Sequence, residues 1–506
     1  MFYNDLTRRL DFAPDSVWTA LYVAWVVGST VFLLLHRRRP TTTLTWLLAF
    51  WTIPLLSGLG YFLFGPRRLD DESGLRQTAR RRAAEVVPES LPELPADFLA
   101  ECPFADLARV PRALGDRDPG PRRATAMTLY RDGESAFPAI ERAFDEARET
   151  INLEYYIWQP DRIGTRLRDR LVACAGSGIA VRLVVDALGA KNCDADFWKP
   201  LLVAGGEVRR FNPPHPLKPQ PGKINFRSHR KIVVVDGRIA FTGGINVNDQ
   251  DTAHDGAPWR DTHVRVDGTP ALDLQAVFLD DWLYGLPLEQ GDRRPSGPGH
   301  LAGDGEGPPL PDGVEHWFPD LAEGRGPWVQ VIDSGPDEES FDIHLLMFTA
   351  ITSARTRLWI TTPYFVPDEA MRTALASAAS RGVDVRLILP DKSDSRLVEA
   401  AAETYTRDIA RRGARVWRYT PVMNHSKVMI VDDAFAIVGT ANMDNRSFRL
   451  NFELVLAVHD EGVTAELARM FEDDLGESRV FRPDAETPGF VGRLIENASR
   501  LLSPLL

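Results

Sequence analysis

The sequence predicts a mixed α/β fold made of two similar blocks, preceded by an apolar N-terminal segment. In the first block, a buried β run at 151–157 is followed by a helical stretch at 164–175 and a second β run. The second block repeats this order, with a β run from residue 358 and a helix at 369–380. Strand, helix and strand in this order indicate a parallel or mixed sheet. Because duplicated units commonly pack about a pseudo-two-fold axis, we expect equivalent residues of both blocks to share one cleft.

The overall composition bounds the class of protein. A chain of 506 residues allows about three units of ~150 residues each. Hydrophobic residues make up 44% and charged residues 26%, which is typical of a globular chain rather than a disordered or fully membrane-embedded one. The formal net charge is −12, whereas a nucleic-acid-binding chain normally carries a positive charge. A nucleic-acid partner is therefore not expected.

The cysteines offer no catalytic or structural motif. Cys102, Cys174 and Cys193 lack the CxxC spacing of a metal site, and no disulfide framework can be drawn from them. We expect three reduced thiols that serve only in packing.

The N-terminal segment contains two uncharged stretches. Residues 17–35 would form a helix about 28 Å long, close to the hydrocarbon thickness of a bilayer. Three arginines at 37–39 interrupt the run, and residues 44–64 are again uncharged, with Pro54 as an expected kink. We therefore predict a membrane anchor over 1–70 with two transmembrane helices. A cleaved signal peptide is the alternative, but its apolar region would span only ~7–15 residues.

The remaining boundaries follow from composition. Segments 71–120 and 292–315 are rich in Pro, Gly or charged residues and are predicted to be linkers. The segment 71–120 precedes a first domain at 121–291, and the segment 292–315 separates that domain from a second at 316–482. Residues 483–506 contain an amphipathic helix, which we expect to dock on its own domain, with contact to a bilayer as the alternative.

Each block carries the same pattern of reactive residues, HxKxxxxD followed by Gly-x-x-Asn. Its members are His229, Lys231, Asp236 and Asn246 in the first block, and His425, Lys427, Asp432 and Asn442 in the second. One such pattern is weak, because a lone histidine is more often a core residue. Two copies at equivalent places in a repeat favour a shared catalytic site.

The pattern suits phosphoryl chemistry. Residues two apart on a strand face the same way, so each His should lie beside its Lys. The glycine-containing turn would bring backbone and carboxamide groups close to a ligand. Two ammonium and two carboxamide groups can balance the charge on a phosphodiester as it reacts. The same ammonium groups oppose a divalent cation, so we predict neither a metal nor another cofactor.

These residues resemble the two HKD motifs of the phospholipase D superfamily, and the chain is similar to bacterial cardiolipin synthases over nearly its whole length. The similarity includes 335–337 (Gly-Pro-Asp), 362–368 (Thr-Pro-Tyr-Phe-Val-Pro-Asp) and 442–447 (Asn-Met-Asp-Asn-Arg-Ser). The resemblance implies two fused phospholipase D-like α/β domains that form one active site without metal. It implies transfer of a phosphatidyl group from one phosphatidylglycerol to another, with release of glycerol.

The resemblance also assigns roles. It implies that His229 is the nucleophile that forms a phosphatidyl-histidine and that His425 is the acid and later the base, although the two roles could be exchanged. The implied phosphate-binding residues are Lys231, Asn246, Lys427 and Asn442. An acidic residue in this family accepts a hydrogen bond from each catalytic imidazole, which points to Asp261 and Glu453. Asp236 and Asp432 complete the catalytic motifs, and the resemblance makes them mainly structural.

Two local features complete these expectations. Ser228 departs from the Asn often found before the first His, which leaves the local hydrogen bonding open. The neighbouring aromatic residues Tyr155, Tyr156 and Trp158 are expected in the core.

The expected location is the inner (cytoplasmic) membrane, crossed more than once. Arginines near both ends of the anchor outnumber those between its helices, which favours cytoplasmic termini and cytoplasmic catalytic domains. The expected partners are phosphatidylglycerol and the membrane, and the oligomeric state stays undetermined.

Other functions are compatible with the same motifs. A hydrolytic phospholipase D, or a transphosphatidylase with another alcohol acceptor, differs only in how well water is excluded and the acceptor is bound. A nuclease with these motifs is disfavoured by the acidic charge and the anchor. A scaffold with a decayed site is disfavoured because both motifs are intact.

Overall fold

The computed structural model describes residues 15–35, 40–64, 70–88, 93–112, 120–213, 225–253, 256–288, 308–337, 341–486, 488–501 and 503. These residues divide into an N-terminal unit that extends to Arg68 and a body that begins at Leu69. Most of the linker expected at 292–315 lies outside the described residues.

The described part of the N-terminal unit is helical. It contains α1 (Asp15–Leu35), α2 (Pro40–Thr52) and α3 (Pro54–Phe64). Within the described residues, Val17–Leu35 is the one helical stretch long and apolar enough to cross a membrane. The second uncharged stretch is divided at Ile53, because Pro54 has no N–H to donate and its ring displaces the preceding backbone. The expected second spanning helix is thus replaced by helices of 13 and 11 residues.

These helices pack against one another through aromatic side chains. The Tyr22 hydroxyl donates to the Trp51 carbonyl over 2.6 Å, and the indole of Trp25 donates to the Phe50 carbonyl over 3.0 Å. Most of the large apolar side chains of α1, such as Leu34, face outward. The outer surface of this unit is therefore apolar.

The body alternates helices and strands. Its helices are α4 (Asp70–Ala83), α5 (Ala96–Glu101), α6 (Arg109–Arg112), α7 (Gly133–Glu146), α8 (Arg162–Gly176), α9 (Ala195–Val203), α10 (Pro270–Tyr284), α11 (Asp342–Ser353), α12 (Glu369–Ser380), α13 (Arg396–Arg411), α14 (Asn445–Arg449), α15 (Glu461–Gly476) and α16 (Phe490–Arg500). The strands of the first repeat are β1 (Arg122–Tyr130), β2 (Thr150–Tyr155), β3 (Ala180–Asp186), β4 (Glu207–Phe211), β5 (Lys231–Val235), β6 (Ile239–Gly243), β7 (His263–Gly268) and β8 (Leu286–Pro287). Those of the second are β9 (Trp328–Ser334), β10 (Arg357–Thr361), β11 (Phe365–Val366), β12 (Asp384–Pro390), β13 (Arg415–Tyr419), β14 (Val428–Val431), β15 (Phe435–Gly439), β16 (Met443–Asp444), β17 (Glu453–His459) and β18 (Ser478–Val480).

One long mixed sheet runs through both repeats. Its order is β18-β13-β12-β10-β14-β15-β17-β9-β1-β7-β6-β5-β2-β3-β4-β8. From the β9–β1 junction outward, the strands of the first repeat follow the order β1-β7-β6-β5-β2-β3-β4-β8. Those of the second follow the equivalent order β9-β17-β15-β14-β10-β12-β13-β18. The strand–helix–strand units are parallel as expected, since β2 pairs with β3 and β10 with β12 in parallel.

The sequence explains where the helices of these units begin. The Asp161 carboxylate accepts from the Gly164 N–H at the start of α8, and Asp368 accepts from the Met371 N–H at the start of α12, both over 3.0 Å. Each aspartate therefore caps unsatisfied backbone donors of its helix. The recurring Pro-Asp dipeptide is thus a helix-start signal.

Helices cover both faces of the sheet. In β5, Ile232 and Val234 belong to the core cluster formed with α10, while Val233 and Val235 belong to the cluster formed with α7, α8 and α9. This alternation is the period-two pattern of a strand buried on both sides. The cluster that contains α10 also includes α15 of the second repeat, so one hydrophobic core spans the two repeats.

The segment expected as a linker at 71–120 contains helices α4, α5 and α6 in its described part. α4 packs against α10, and Arg76 is only 2% exposed there. Its guanidinium forms ion pairs with Asp281 and Asp337. Besides this cation, the buried side chains of α4 among the described residues are the small ones of Ala79 and Ala83 in the core cluster around α10, so composition alone indicated a linker.

Candidate active site

The two histidines of the repeated motif lie just before a central strand of each repeat. β5 begins at Lys231 and β14 at Val428, so neither histidine belongs to a strand, contrary to the expected strand-face arrangement. Backbone contacts between the repeats hold them instead. The His229 N–H donates to the Phe452 carbonyl over 2.8 Å, and the His425 N–H donates to the Arg260 carbonyl over 2.6 Å.

The imidazole of each repeat is hydrogen bonded to a carboxylate of the other repeat. His229 Nδ1 lies 2.9 Å from Glu453 Oε2, and His425 Nδ1 lies 2.8 Å from Asp261 Oδ2. All four side chains are buried. The sequence pointed to these two carboxylates as partners of the imidazoles, but it did not indicate the crossed pairing. This pairing brings both motifs into one cluster.

The crossed pairs set the state of the imidazoles. When Nδ1 donates to a carboxylate, the lone pair resides on Nε2, which is then the nucleophilic atom. Burial lowers the pKa of His229 to about 4, even though Glu453 opposes this shift. Burial and the nearby Lys427 also lower the pKa of His425 below its ordinary value. Both imidazoles are therefore neutral near pH 7 before a ligand binds.

The orienting carboxylates are ionised. Burial alone would raise the pKa of Asp261, but Lys427 and His425 lower it below its usual value. Likewise, burial would raise the pKa of Glu453, but His229 and Lys231 lower it. Each carboxylate can therefore stabilise a positive charge that forms on its imidazole.

The two lysines of the motif are also buried. Lys231 Nζ donates to the backbone carbonyl of His229 over 2.7 Å, and Lys427 makes the same contact with His425. Burial lowers the pKa of Lys231 to about 7 and also lowers that of Lys427. Each lysine lowers the pKa of the histidine in the opposite repeat. The four groups thus lie within electrostatic reach of one another.

The asparagines lie in the turns after β6 and β15. The Asn246 N–H donates to Asp251 over 3.2 Å, and the Asn442 N–H donates to the Ser447 hydroxyl over 3.0 Å, so the same offset of five residues fixes both turns. Asn442 Oδ1 is buried and has no hydrogen-bond partner among the described residues. The second turn therefore keeps a hydrogen-bond acceptor available to a donor group of a ligand.

Asp236 and Asp432 do not contact the histidines. Each has a positive φ, 52° and 49° respectively, at the hairpin turn that follows β5 or β14. The Asp236 carboxylate accepts from the backbone N–H groups of residues 148–150, and Asp432 accepts from those of residues 355–357. Of the six residues in the catalytic motifs, these two are therefore structural, and they lie at the far end of a strand from the histidine.

The residues just before the two motif histidines, Ser228 and Asn424, make different hydrogen bonds. The Ser228 hydroxyl donates to the buried carboxyl of Glu154. Asn424, at the equivalent place, accepts from the Ser426 N–H over 3.1 Å. The departure from Asn therefore changes the hydrogen bonding behind the motif and not the imidazole itself.

Three aromatic side chains beside the imidazoles were not identified from the sequence as site residues. Tyr156 lies with its ring centre 5.0 Å from that of His229, whereas its neighbours Tyr155 and Trp158 are buried in the core as expected. Tyr364 lies 6.2 Å and Trp259 5.7 Å from the ring of His425. Tyr156 is therefore a cleft residue, and its place next to a buried Tyr concealed it.

A buried ionic network lies behind the first motif. Arg230 donates to Asp281 over 2.5 Å, to Asp333 over 2.6 Å and to the Glu453 carbonyl over 3.2 Å. Arg76 of α4 donates to the same Asp281 over 2.8 Å, and its guanidinium lies 4.2 Å from the ring centre of Phe452. The network thus connects α4 to the residue that orients His229.

Neither metal nor disulfide chemistry is indicated by the remaining side chains. Among the described residues, no three His, Cys, Asp or Glu side chains are grouped as ligands of one metal ion. The three cysteines are unpaired and buried. The absence of a cofactor stays a prediction.

The class of protein follows from this fold and site together with comparisons. The chain matches the family described as "Cardiolipin synthase, PLD-like domain" at residues 140–281 and 347–475, which contain the two motifs. Among solved structures, phosphatidylserine synthase of Haemophilus influenzae has a TM-score of 0.59 at 16% identity, covering 79% of this chain and 100% of that one. That likeness concerns the fold alone.

Full-length relatives identify the family more closely. Cardiolipin synthase 1 of Bacillus anthracis is 33% identical, covering 97% of this chain and 95% of the relative. Cardiolipin synthase of Geobacillus thermodenitrificans is 35% identical, covering 96% of this chain and 92% of the relative. The chain belongs to the cardiolipin synthase family of phospholipid phosphatidyltransferases.

Proposed function

We propose that the protein makes cardiolipin by moving a phosphatidyl group from one phosphatidylglycerol to a second, with release of glycerol, through a phosphohistidine intermediate. The observation that carries this proposal is the pair of crossed contacts, His229 with Glu453 and His425 with Asp261. Two neutral imidazoles with oriented Nε2 atoms can act on opposite sides of one phosphorus atom.

In the first half-reaction, His229 Nε2 attacks the phosphorus and the bond to the glycerol oxygen breaks. His425, protonated while the anionic phosphodiester is bound, donates its proton to that oxygen, and glycerol leaves. In the second half-reaction, His425 takes the proton from a hydroxyl of the second phosphatidylglycerol. The freed oxygen attacks the phosphorus, the phosphorus–nitrogen bond breaks, and His229 is restored.

The charged and polar neighbours stabilise these steps. Lys231 and Lys427, with the Nδ2 amino groups of Asn246 and Asn442, would donate to the non-bridging oxygens as negative charge develops on them. The ionised Glu453 balances the positive charge of the phosphohistidine. These roles do not require a metal ion, because the buried ammonium groups supply the positive charge.

Two related activities use the same residues. A hydrolytic phospholipase D would deliver water to the phosphohistidine, and a transphosphatidylase would accept another alcohol. The full-length relatives named cardiolipin synthase favour phosphatidylglycerol as the acceptor. A nuclease is disfavoured by the net charge of −12.

We further propose that the protein is attached to the cytoplasmic membrane through its N-terminal unit, with the body on the cytoplasmic side. The length and exposed apolar surface of α1 support one crossing. α2 and α3 pack back against α1, which supports a hairpin whose second arm is kinked at Pro54. The matching strand order supports a pseudo-two-fold relation between the repeats.

The reaction is tested with labelled phosphatidylglycerol in membranes that contain the full chain. Labelled cardiolipin together with free glycerol is expected, whereas phosphatidic acid as the main product would show hydrolysis. His229→Ala and His425→Ala should each lower the rate by at least about a thousandfold, by analogy with loss of a member of a catalytic triad. The exposed His316 provides the control, and His316→Ala should keep the wild-type rate.

The order of attack is tested by trapping the intermediate. Because His425 also protonates the departing glycerol, its variant forms the intermediate slowly. After a long incubation and acid-free denaturation, His425→Ala should retain label on the protein and His229→Ala should not. Label retained only by His229→Ala would exchange the two roles. Label retained by neither variant, with wild type labelled, would contradict a separable acid and nucleophile.

A further inference from the structure

The C-terminal helix α16 contacts the body through its polar side. Glu496 forms an ion pair with Arg407 of α13. Beyond the helix end, the Tyr405 hydroxyl donates to the Ser503 hydroxyl over 2.9 Å, and Ser499 is only 7% exposed. Hydrogen bonds and an ion pair therefore fix this helix on the body.

The apolar side of the same helix faces outward. Its large side chains are more than half exposed, namely Phe490, Val491, Leu494, Ile495 and, just after the helix, Leu501. A surface helix of a soluble domain normally directs its apolar stripe toward the core. Here the orientation is reversed, because the ionic and polar contacts hold the polar side of the helix against the body. A contiguous exposed apolar strip of this kind marks an interaction surface.

The charges beside this strip favour a lipid surface over another protein. Arg493 is exposed on the flank of the strip, although the chain as a whole carries a net charge of −12. Arg500 is also exposed, and its guanidinium lies 5.8 Å from the ring centre of Tyr405 on α13. An apolar strip edged by arginines is typical of helices that lie in the interface of an anionic bilayer. Phospholipid is also the substrate class of this family.

The position of the helix is consistent with a role in catalysis at a membrane. The Ser503 carbonyl accepts a hydrogen bond of 3.1 Å from the side chain of Asn445. Asn445 begins α14 three residues after Asn442 of the second active-site turn. Nearby, Tyr364, which lies beside His425, donates to Asp394 just before α13. α13 and α16 therefore border the candidate active site.

We propose that α16 is a membrane-contact element that inserts its outward apolar side into the headgroup region of an anionic phospholipid bilayer and holds the active-site entrance at the lipid surface. This goes beyond the proposed function, because it holds whether the reaction ends in transfer or in hydrolysis. It also describes a contact separate from the N-terminal helices.

The contact is tested by labelling a single site on the helix. The native cysteines are buried, so Leu494→Cys can be labelled selectively with an environment-sensitive fluorophore in the full chain. The labelled protein is placed in vesicles of phosphatidylglycerol and phosphatidylcholine, with or without brominated acyl chains. The matched control is Glu472→Cys, at an exposed position of α15.

Bromine should quench the label at 494 by about half or more and leave the label at 472 nearly unchanged, because bromine quenches only fluorophores within the apolar boundary region. Equal, weak quenching at both sites would overturn the proposal. Energy transfer between labels at 494 on two copies, without lipid quenching, would also overturn it and assign the strip to a protein interface. The outcome does not depend on turnover, so it is independent of the proposed reaction.

A second measurement tests the functional consequence. In the proposed contact, the lipid buries the aliphatic side chains of Leu494 and Ile495. The double variant Leu494→Asp with Ile495→Asp loses this burial, so its rate on anionic vesicles should fall roughly tenfold or more. The rate on short-chain phosphatidylglycerol below its micelle concentration should stay at the wild-type value, which shows that the variant is folded. Val203→Asp, which replaces an exposed aliphatic side chain of α9 by the same acid, is the control. An equal loss on both substrates would contradict a role at the lipid surface.

Discussion

At the scale of single residues, the two orienting carboxylates occupy spaces of different size. Glu453 accepts a hydrogen bond of 2.5 Å from the hydroxyl of Thr440, in the Gly-x-x-Asn turn of its own repeat. At the equivalent position the first repeat has Gly244, and a Cβ there would overlap the carboxylate of Asp261. The repeats therefore combine a glycine with the shorter acid and a threonine with the longer one.

This difference predicts the effect of one methyl group. Gly244→Ala should displace Asp261 and with it the imidazole of His425. Because a misplacement of about 1 Å can cost 10²-fold in rate, we expect kcat to fall by about that factor with a smaller change in KM. Gly176→Ala is the control, since nothing lies within 4 Å of a Cβ at that position. A wild-type kcat for Gly244→Ala would contradict the close approach to Asp261.

The lysines predict the alkaline side of the pH profile. The pKa of Lys231 is lowered to about 7, so its positive charge is present below this pH and is lost as the pH rises through it. Because the free enzyme then binds the phosphodiester anion less well, kcat/KM should decrease above this pH by up to about tenfold per pH unit. This decrease adds to the one caused by deprotonation of His425, the proposed acid, whose pKa is lowered below its ordinary value by burial and by Lys427. The corresponding acid decrease should follow the pKa of His229, about 4.

Lys231→Arg separates this charge from other titrating groups. A guanidinium stays protonated throughout the range, so the alkaline decrease should become shallower, with only the part due to His425 left, even if the maximum rate is lower. The profile is measured as kcat/KM for short-chain phosphatidylglycerol. An unchanged alkaline decrease in Lys231→Arg would assign the decrease to another group.

The sequence indicated the reactive residues of the candidate site but not which residues of the two repeats contact each other. Repetition of the motif pointed to the two imidazoles and two ammonium groups that lie within electrostatic reach of one another, because the histidine and lysine of each motif are two residues apart. The phosphate-binding role of the two motif asparagines stays a prediction. The crossed pairing of His229 with Glu453 was not predictable, because those residues are 224 positions apart and belong to different repeats. Tyr156 was missed because its neighbour Tyr155 is a core residue.

At the scale of elements, α4 connects the start of the body to the first motif. Its Arg76 shares Asp281 with Arg230, which in turn contacts the backbone of Glu453. The side chains of Arg76, Asp281 and Arg230 are all buried. The helix is thus an integral part of the body.

Arg76→Met is expected to destabilise the protein. Removing one partner of a buried ionic network leaves Asp281 and Asp337 short of positive charge, at a cost of about 3–5 kcal/mol. The midpoint of thermal unfolding should fall, and the surviving folded fraction should show a lower kcat as Glu453 loses part of its support. Arg81→Met on the exposed side of the same helix is the control and should leave both quantities unchanged.

Helices and strands with local signals were predictable, and those held by tertiary contacts were not. The helix expected at 369–380 coincides with α12, because an aspartate cap and an alanine-rich run specify it locally. α4 contacts the core through Arg76 and the small residues Ala79 and Ala83, so composition suggested a linker. In the N-terminal unit the uncharged run predicted a second spanning helix kinked at Pro54, and Pro54 divides it into the two shorter helices α2 and α3.

At the scale of the whole molecule, the repeats are joined by more than the chain. β1 pairs with β9 across the junction, and the backbone contacts at His229 and His425 form two further bridges between the repeats. The core around α10 and α15 is common to both. In the candidate active site, each imidazole has its carboxylate partner only when both repeats are present.

This arrangement predicts how the protein responds to cleavage between its repeats. A protease site placed at 292–307, where the sequence is rich in Gly and Pro, should allow cleavage without loss of activity, since the sheet and the crossed pairs hold the parts together. Either repeat produced alone should be inactive, because each histidine then lacks its carboxylate. Activity from one repeat alone would contradict the shared site.

The duplication itself was predictable, since both repeats carry the same elements in the same order. The outward direction of the apolar side of α16 was not, because an amphipathic pattern defines two faces but not which one contacts the body. Contacts with Arg407 decide that direction, and they depend on a helix about 90 residues earlier in the chain.

The borrowed carboxylates have a consequence for genetics. A substitution at Asp261 lies in the first repeat of the coding sequence, yet it removes the hydrogen-bond partner of His425 in the second repeat. Sorting inactive alleles by their position along the gene would therefore attribute them to the wrong histidine, and a second-site suppressor of an Asp261 allele should be sought near codon 425.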